Sequence, residues 1–412
     1  MDINYFDLSG GINQATTKAE LGLNPKKIYW SDSKNIEIYN NKGITRQKGN
    51  SLFLELPAPE KIIGMSEMES DDSYKLVIVT ESGKLYVYRQ KEDDLVLLEK
   101  TLIGKKPIFS QFLRGMLVAT EADPMFFIKD NESFEISECN LKDLNGQDCY
   151  PDCVTVYKGR VWCSKDSTIY YSALGMYNDF EMEEDAGYIN DFHTDTSDIV
   201  TMHTYKDYLA IYKKDKVYLL TGSNPSDFSI TLFADKGTLA AKSIANVDNK
   251  QYFLSNGIYA LEQVGELNQI RLGSEISQNI REEFKRFDDS RMGETFVIHY
   301  KNSHQMWFFF PYLDDEYFHT IWINDYLNRA WYKRVEFLLQ YLLFPYCPQQ
   351  YNHLQQTVSG LRSEHHPQSL INFLEAPIQL QHHMMPTPLQ PMLYLNQIYF
   401  RLKRSKLHIT RI

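Results

Sequence analysis

Carboxylate side chains are densest in residues 179–185, which read DFEMEED, and Asp191, His193, Asp195 and Asp198 follow shortly afterwards. Carboxylate oxygens placed close together are ligands that Ca²⁺ prefers, but this spacing fits no EF-hand loop. Two carboxylates that face one another across a cleft could instead hydrolyse a glycosidic bond. Because the sequence alone does not place two side chains across a cleft, we interpret the stretch as a solvated loop between structural units.

Thiol and imidazole groups give no stronger indication of a reactive site. Cys139, Cys149 and Cys153 have the spacing C-x9-C-x3-C, whereas zinc sites prefer tight Cys pairs. The chain has five cysteines, an odd number without regular spacing, which favours free thiols in a reducing compartment. It contains neither a glycine-rich phosphate loop nor a G-x-S-x-G nucleophile turn. We therefore predict no cofactor, no metal and no catalytic residue.

The residues that could position a site are arranged in repeated strand pairs. The stretch KKDKVYLLTG, residues 213–222, places a charged turn before an aliphatic and aromatic strand, and a second strand precedes the turn. Apolar runs of strand length around a short polar turn predict a β-hairpin. Six such pairs occur, at 76–79 with 85–88, 116–119 with 126–128, 160–163 with 169–171, 208–212 with 217–220, 252–254 with 258–260, and 306–310 with 321–323.

The spacing of these pairs indicates the fold. Their reference positions Tyr86, Phe127, Tyr170, Tyr218, Tyr259 and Trp322 lie 41, 43, 48, 41 and 63 residues apart. A strand-rich unit that recurs every 40 to 50 residues is typical of propeller blades. We predict an all-β fold, a β-propeller of about six to seven blades with an N-terminal arm; an ordinary β-sandwich is the alternative. The units lack the Trp-Asp dipeptide of the commonest propeller repeat.

One short helix is predicted on the rim of the propeller. Residues 274–287 place Ile276, Ile280, Phe284 and Phe287 on one helical face, and Ser274 could cap the first turn. We interpret this apolar stripe as packing against the propeller, not as a groove for a partner.

The sequence divides into three parts. Residues 1–60 form a Gly-punctuated arm with the first strands, 61–335 hold the propeller repeats, and 336–412 form an atypical tail. Residues 1–336 carry 37 basic and 52 acidic side chains, whereas 337–412 carry six basic and two acidic ones. The tail is either a native extension that wraps a neighbouring subunit or the product of a reading frame that slipped near codon 337.

The composition bounds the partners. The chain of 412 residues has a net charge of −11, and proteins that hold DNA by its phosphates normally carry a basic excess. No stretch approaches the length of a membrane-spanning helix, and the N-terminus does not read as a signal peptide. We therefore expect no membrane span and no sequence-specific contact with nucleic acid.

A set of N-terminal motifs carries a resemblance to a known family. An aromatic-x-x-x-Gly-Gly-aliphatic-Asn element is followed by Asn-aliphatic and then by Gly-aliphatic-x-Arg-x-x-Gly, with Lys48 where many family members have Pro. The matching residues are Phe6, Gly10, Gly11, Ile12, Asn13, Asn35, Ile36, Gly43, Ile44, Arg46 and Gly49. In this order, and with the repeats over roughly residues 5–335, the chain resembles the β-propeller tail hub or nozzle proteins of short-tailed phages, also called DNA-stabilisation or head-completion proteins.

The resemblance implies a structural protein and not an enzyme. Such proteins assemble, usually as six copies, below the portal and its adaptor, retain the packaged DNA, and line or close its exit channel. The implied location is the virion tail, after synthesis in the cytoplasm of a bacterial host. The residues implied for an assembly arm are Phe6, Gly10, Gly11, Asn13, Asn35, Arg46 and Gly49. The arm would either add a strand to an adjacent subunit or close its own propeller.

Two other function classes stay open at this point. A propeller enzyme that acts on glycans, a glycosidase or a lyase, would need paired carboxylates at one mouth of the ring. A carbohydrate-binding propeller of a bacterial surface would need an export signal, which the first residues do not show.

Overall fold

The structure is a computed structural model of the chain. It describes residues 7–18, 20–21, 27–39, 43–47, 51–58, 60–70, 74–181, 185–192, 195–265, 269–313 and 318–335, together with three strands between 392 and 411. The arm residues Phe6 and Gly49 lie outside the described residues, as do Cys347 and residues 336–391. The described chain begins with a hairpin of β1 (Ile36–Tyr39) and β2 (Gly43–Arg46), which β3 (Ser51–Leu56) follows.

Six four-stranded antiparallel sheets then follow one another, each built from four consecutive strands. The first contains β4 (Ile62–Met68), β5 (Lys75–Thr80), β6 (Lys84–Arg89) and β7 (Asp94–Thr101), and the second contains β8 (Ile108–Gln111), β9 (Gly115–Thr120), β10 (Asp123–Lys129) and β11 (Ile136–Glu138). The third contains β12 (Cys153–Tyr157), β13 (Arg160–Lys165), β14 (Thr168–Tyr171) and β15 (Gly187–Ile189), and the fourth contains β16 (Ile199–Tyr205), β17 (Tyr208–Lys213), β18 (Val217–Thr221) and β19 (Ser229–Ala234). The fifth contains β20 (Ala245–Val247), β21 (Lys250–Leu254), β22 (Ile258–Val264) and β23 (Gln269–Leu272), and the sixth contains β24 (Phe296–Tyr300), β25 (Gln305–Phe309), β26 (Ile321–Asp325) and β27 (Ala330–Arg334).

The six predicted hairpins are the two middle strands of these six sheets. In the fourth sheet, for example, Leu209 pairs with Leu220 and Tyr212 pairs with Val217. Both faces of the middle strands are buried, so they read as continuous apolar runs, as strands covered on both sides do. The prediction of an all-β propeller of about six to seven blades is confirmed, with six blades in the described residues, and the sandwich alternative is wrong.

The sheets pack face to face in a closed ring. Each apolar cluster joins residues of two neighbouring sheets, from the first and second through the second and third, the third and fourth, the fourth and fifth and the fifth and sixth. One further cluster contains Ile78 and Tyr86 of the first sheet together with Phe296, Trp307 and Phe309 of the sixth. The first and last blades therefore pack against each other directly.

The predicted rim helix is shorter than expected and is not an α-helix. It is a 3₁₀ helix, Gln278–Arg286, with a kink at Ile280 and Ser277 as its N-cap. Residues before it cannot join the helix because they bind β22: the N–H of Ile276 donates to the carbonyl of Ile258, and the Ser277 hydroxyl accepts from the Ile258 N–H. Its apolar stripe packs in the cluster between the fifth and sixth sheets, so the interpretation as packing is confirmed.

The remaining helices are single 3₁₀ segments in connections. They are Pro225–Asp227, Ala241–Ser243, Asp289–Glu294 and Lys301–Ser303. In the part of the chain that the structure describes, no helix is long and apolar enough to cross a membrane.

The C-terminal strands differ from the expected end of the strand pattern. β28 (Met392–Leu395), β29 (Ile398–Lys403) and β30 (Lys406–Arg411) form a seventh sheet with β3, in the order β28-β29-β3-β30. The backbone of β3 thus pairs with strands more than 300 residues later in the sequence. The two explanations of the tail, a native extension or a slipped reading frame, stay predictions.

Candidate functional site

The first strand of each sheet lines one central cavity of about 640 Å³. Its wall takes residues from all six sheets, which shows that β4, β8, β12, β16, β20 and β24 are the innermost strands of the ring. Propeller blades are arranged in this way around a central channel. The cavity is therefore the axial site of the fold, and it is the concave site to which every blade contributes.

Charged residues lie at the two ends of the cavity wall. Glu69, Asp248 and Lys301 follow the C-terminal ends of the innermost strands β4, β20 and β24, whereas Lys242 precedes the N-terminal end of β20. Innermost strands of a propeller run in one direction along the axis, so the first three residues belong to one mouth and Lys242 belongs to the other.

Two histidines lie between these ends and are uncharged at neutral pH. His203 on β16 and His299 on β24 both line the cavity. Burial lowers the pKa of His203 to about 4, and burial lowers the pKa of His299 to about 4 as well. The His203 ring nitrogen lies 3.2 Å from the Thr201 hydroxyl, and the His299 ring nitrogen lies 3.1 Å from the Tyr326 hydroxyl. Both imidazoles act as neutral hydrogen-bonding groups.

Glu67 is a buried carboxyl group on β4 beside the cavity. The residue is 8% exposed, and its Oε1 has no hydrogen-bond partner within the described chain. Burial, and to a smaller degree the negative charge of Glu69, raise the pKa of Glu67 to about 8. Glu67 lies near the end of β4 and Glu69 follows the strand, so both carboxyl groups belong to one blade. They do not form a pair that faces across a cleft.

Glu67 is expected to make the stability depend on pH. Its folded-state pKa of about 8 lies above the ordinary value of 4.5, so its contribution is fully present below about pH 4.5 and is lost as the pH rises through about 8. Replacing Glu67 with glutamine should raise the free energy of unfolding at pH 9 by roughly 2–4 kcal/mol, because one pKa unit corresponds to about 1.4 kcal/mol, and should change it little at pH 4. Urea unfolding at both pH values measures this, with the exposed Glu99→Gln as the control; equal effects at both pH values would contradict it.

The N-terminal arm lies against β27, the outer strand of the sixth sheet. The N–H of Ile12 donates to the carbonyl of Trp331 at 2.6 Å, and the N–H of Asn35 donates to the carbonyl of Lys333 at 3.0 Å. The Asn35 side-chain oxygen accepts from the N–H of Val335 at 3.0 Å. These contacts join the beginning of the chain to the end of the last blade, and we call residues 10–13 and 35 the N-terminal latch.

Two glycines allow close approaches of backbone to backbone, Gly11 to β27 and Gly10 to Ile28 within the arm. A Cβ atom at Gly11, which has a φ of +72°, would lie 2.6 Å from the carbonyl oxygen of Trp331. A Cβ atom at Gly10 would lie 2.2 Å from the carbonyl oxygen of Ile28. Neither distance leaves room for a side chain. Asn13 is buried, and its side-chain oxygen accepts from the N–H of Ala15 at 3.0 Å, which fixes the turn that follows.

Four of the seven residues predicted for an assembly arm therefore lie together in the latch. Arg46 lies apart from them, exposed at the end of β2 and opposite Ile36. The latch contacts are made within the single chain that the structure contains, and closure of its own propeller by the arm stays a prediction. Addition of the arm to an adjacent subunit stays a prediction.

Gly11→Ala is expected to destabilise the protein by roughly 3 kcal/mol or more. A residue with a side chain in the left-handed region costs about 1–2 kcal/mol, and the contact with the Trp331 backbone adds to this because backbone atoms cannot move aside. Gly146 is the matched control, since its φ is +76° and a Cβ atom there has nothing within 4 Å. Gly146→Ala should cost only about 1–2 kcal/mol. Thermal unfolding and tryptic cleavage at the exposed Lys18 measure the two; the same loss in both variants would contradict a latch.

Two members of the acidic stretch hold buried cations. Asp185 pairs with Arg160, which is 1% exposed. The Nζ of the fully buried Lys213 donates to the carbonyl oxygens of Asp195 at 2.9 Å and Ser197 at 2.7 Å, and lies 3.7 Å from the Asp195 carboxylate. Asp179, Glu181 and Asp185 lie in the connection from β14 to β15 within the third sheet, so the prediction of a loop between units is wrong for them. Asp191, Asp195 and Asp198 lie in the connection from the third sheet to the fourth, as predicted. The interpretation as solvated is wrong for Asp195, whose side chain is 9% exposed.

No metal site is evident in the described part of the chain. Among these residues, which exclude 182–184 and 193–194, no group of three or more His, Cys, Asp or Glu side chains is placed to hold an ion. Cys139, Cys149, Cys153 and Cys163 are buried free thiols. Burial raises the pKa of Cys149 and of Cys153 to about 11, so these thiols stay protonated at neutral pH.

Comparisons with known proteins identify similar folds but no family. No protein-family model matches the chain, and no curated protein sequence matches it. A chain of the mitotic checkpoint complex crystal structure has a TM-score of 0.46 at 10% identity and covers 91% of this chain and 99% of its own. YCF48 from Cyanidioschyzon merolae has a TM-score of 0.45 at 13% identity, covering 86% and 96%. The extracellular domain of the putative one-component system BT4673 from B. thetaiotaomicron has a TM-score of 0.40 at 10% identity, covering 66% and 32%.

Sequence reasoning did not single out the polar residues of the cavity. His203 and Lys242 line the cavity, on an innermost strand or just before one. Glu67 lies on β4 next to the cavity-lining Ser66. The signal that could have found them is a charged or imidazole group inside a strand-like run, as in GMSEM around Glu67 and TMHTY around His203. Strands that are buried on both faces rarely contain polar residues. A polar residue inside such a run therefore indicates that the strand borders a cavity.

Proposed function

We propose that this protein is a structural subunit of a phage tail, part of the hub or nozzle that lies below the portal and its adaptor and retains the packaged DNA. The observation that carries the proposal is the ordered set of N-terminal motifs. Gly10, Gly11, Asn13 and Asn35 give the resemblance to tail hub and nozzle proteins; Gly11 and Asn35 lie against the last blade, and Gly10 and Asn13 bind Ile28 and Trp30 within the arm. The location that follows is the virion tail, after synthesis in the host cytoplasm.

The mechanical properties of the fold support this role. Six sheets packed in a closed ring leave no free apolar face between neighbouring blades. Bending one blade would require the neighbouring clusters to open, and close-packed interiors resist such deformation. A subunit of this kind transmits force between the loops at its two ends without changing shape, as a subunit between a capsid and its fibres must.

Packaged DNA would pass along the axis of a ring of copies and not through one propeller. The major groove of B-DNA alone is about 12 Å wide, whereas a sphere with the volume of the central cavity, about 640 Å³, is about 11 Å across. The net charge of −11 suits a wall that repels the phosphate backbone, because tight binding of DNA needs a basic excess. Because the cavity is narrow and the chain is acidic, we expect the DNA to pass the protein without sequence-specific contacts.

Mass photometry tests the proposal. The purified chain should form a ring of six copies, alone or on a portal–adaptor complex of a short-tailed phage, and negative-stain electron microscopy should show the ring coaxial with the portal. The matched control is the adaptor without the portal assembly, which should recruit the chain poorly. A monomer that ignores the portal–adaptor complex would overturn the proposal.

A further inference from the structure

Lys242 is a buried cation that no protein group neutralises by contact. It lies in the 3₁₀ segment Ala241–Ser243, just before the innermost strand β20, and it is 8% exposed. Its Nζ has no hydrogen-bond partner among the described residues, although Lys242 lines the central cavity. A buried ammonium group without partners is costly unless something outside the chain pairs with it.

The charged groups near Lys242 do not provide a hydrogen-bond acceptor for its Nζ. Glu121 and Lys106 are the charged groups that act on it, with opposite signs. The Glu121 carboxylate is already occupied, because it accepts from the backbone N–H of Lys105 at 3.1 Å and of Lys106 at 3.2 Å. Burial lowers the pKa of Lys242 to about 7, which agrees with an ammonium group that lacks a partner. An anion at its Nζ would supply the missing acceptor.

The wall around Lys242 is polar. Thr201 and His203 of β16 and Asn246 of β20 line the same cavity. Thr201 and His203 bind each other, and the Asn246 amide donates to the Thr204 carbonyl, so Lys242 is the cation that an anion would meet there. The volume of about 640 Å³ lies in the range of small-molecule pockets, roughly 300–1,000 Å³. The opposite mouth carries the carboxylates Glu69 and Asp248 beside Lys301, whereas Lys242 is the charged lining residue that the structure describes at its own mouth.

We propose that the central cavity of the propeller binds a small oxyanion, a phosphate or a carboxylate, on the Nζ of Lys242. The site is independent of the proposed tail function, because it lies within one chain. A metal cation is excluded as the ligand of Lys242 by charge, and a DNA duplex is too wide for the cavity. The ligand is a free small molecule that reaches Lys242 from the axial opening.

Titration with inorganic phosphate and, separately, with acetate tests the site. Isothermal calorimetry and the thermal midpoint should show saturable binding of at least one of the two, and the preferred anion distinguishes a phosphate from a carboxylate ligand. Lys242→Met should weaken this binding at least tenfold and abolish the anion-dependent rise of the midpoint. Without anion, the Lys242→Met variant should be at least as stable as the unchanged protein, because it removes an unpaired buried charge.

Two matched variants keep the test specific. Lys301→Met removes a cavity-lining lysine at the other mouth, and Lys91→Met removes an exposed one; both should keep the binding. The proposal is overturned if neither anion binds, if the Lys242→Met variant binds as the unchanged protein does, or if Lys301→Met removes the binding while Lys242→Met does not.

Discussion

Replacing Lys213 with methionine is expected to lower the free energy of unfolding by roughly 3–5 kcal/mol, because breaking a buried ion pair by removing one partner leaves the other uncompensated. Methionine fills a similar volume but donates no hydrogen bond. The carbonyl oxygens of Asp195 and Ser197 would lose their donor, and the Asp195 carboxylate would lose its buried cation. Urea unfolding measured at neutral pH gives the loss directly.

The adjacent Lys214 provides the control for Lys213. Lys214 is exposed, so Lys214→Met removes the same charge from the same turn and should change the stability by less than about 0.5 kcal/mol. Burial alone would raise the pKa of Asp195, but hydrogen bonds from Ser197 and Tyr218 and the charge of Lys213 outweigh it and lower the pKa to about 2. The stabilisation by Asp195 is thus present above its ordinary pKa of 3.8 and is lost as the pH falls toward 2. Equal losses in the two variants would show that Lys213 acts only as a surface charge.

Phe309→Ala is expected to destabilise the protein by about 3–5 kcal/mol, the usual cost of removing a buried phenylalanine ring. Phe309 is fully buried in the cluster that joins the first and sixth sheets. Its ring stacks on that of Phe296 with centroids 4.2 Å apart, and Phe318 meets it edge-on. The cavity would open at the junction that closes the ring, and chemical denaturation would report the loss.

An alanine substitution at an exposed aromatic residue is the control, because it removes an aromatic ring without opening a cavity in the core. Tyr188 on the outer strand β15 is 54% exposed, and Tyr188→Ala should cost less than about 1 kcal/mol. If both alanine variants were equally stable, the first and sixth sheets would not depend on each other for packing.

The middle strands of each blade could be predicted because burial on both faces leaves a plain signal. Runs such as Leu76-Val77-Ile78-Val79 stay apolar through both sides of the sheet, and their repetition gave the six blades. The innermost and outermost strands carry no such signal. β16 mixes Thr201, His203 and Thr204 with apolar residues because its edge faces the cavity, and β19 is largely exposed.

Long-range contacts limited the rest of the prediction. Ser274–Phe287 has helical periodicity, yet the start of β22 binds Ile276 and Ser277 and shortens the segment to a 3₁₀ helix. Lys213 reads as part of a charged turn, but the connection that contains Asp195 folds over it. Local sequence does not record these partners, because they are 18 to 19 residues away along the chain.

The N-terminal latch and the cavity likewise depend on partners that are distant in the sequence. Gly10 and Gly11 could be recognised as unusual from their pairing, but the β27 backbone that Gly11 approaches lies about 320 residues later in the sequence. Lys242 and Glu67 attract no attention in sequence because a lysine or glutamate is usually exposed. Only the closure of six blades around an axis places Lys242 on the cavity wall and buries Glu67 on the innermost strand β4.

Hydrogen–deuterium exchange of a Phe309→Leu variant tests ring closure most directly. Leucine keeps an apolar side chain, so the variant should stay folded while the packing between the first and sixth sheets loosens. We expect faster exchange in β4–β6, more than 200 residues away in sequence, and unchanged exchange in the third and fourth sheets. Phe253→Leu, in the cluster between the fourth and fifth sheets, should leave β4–β6 protected. Faster exchange confined to the fifth and sixth sheets in the Phe309→Leu variant would contradict a closed ring.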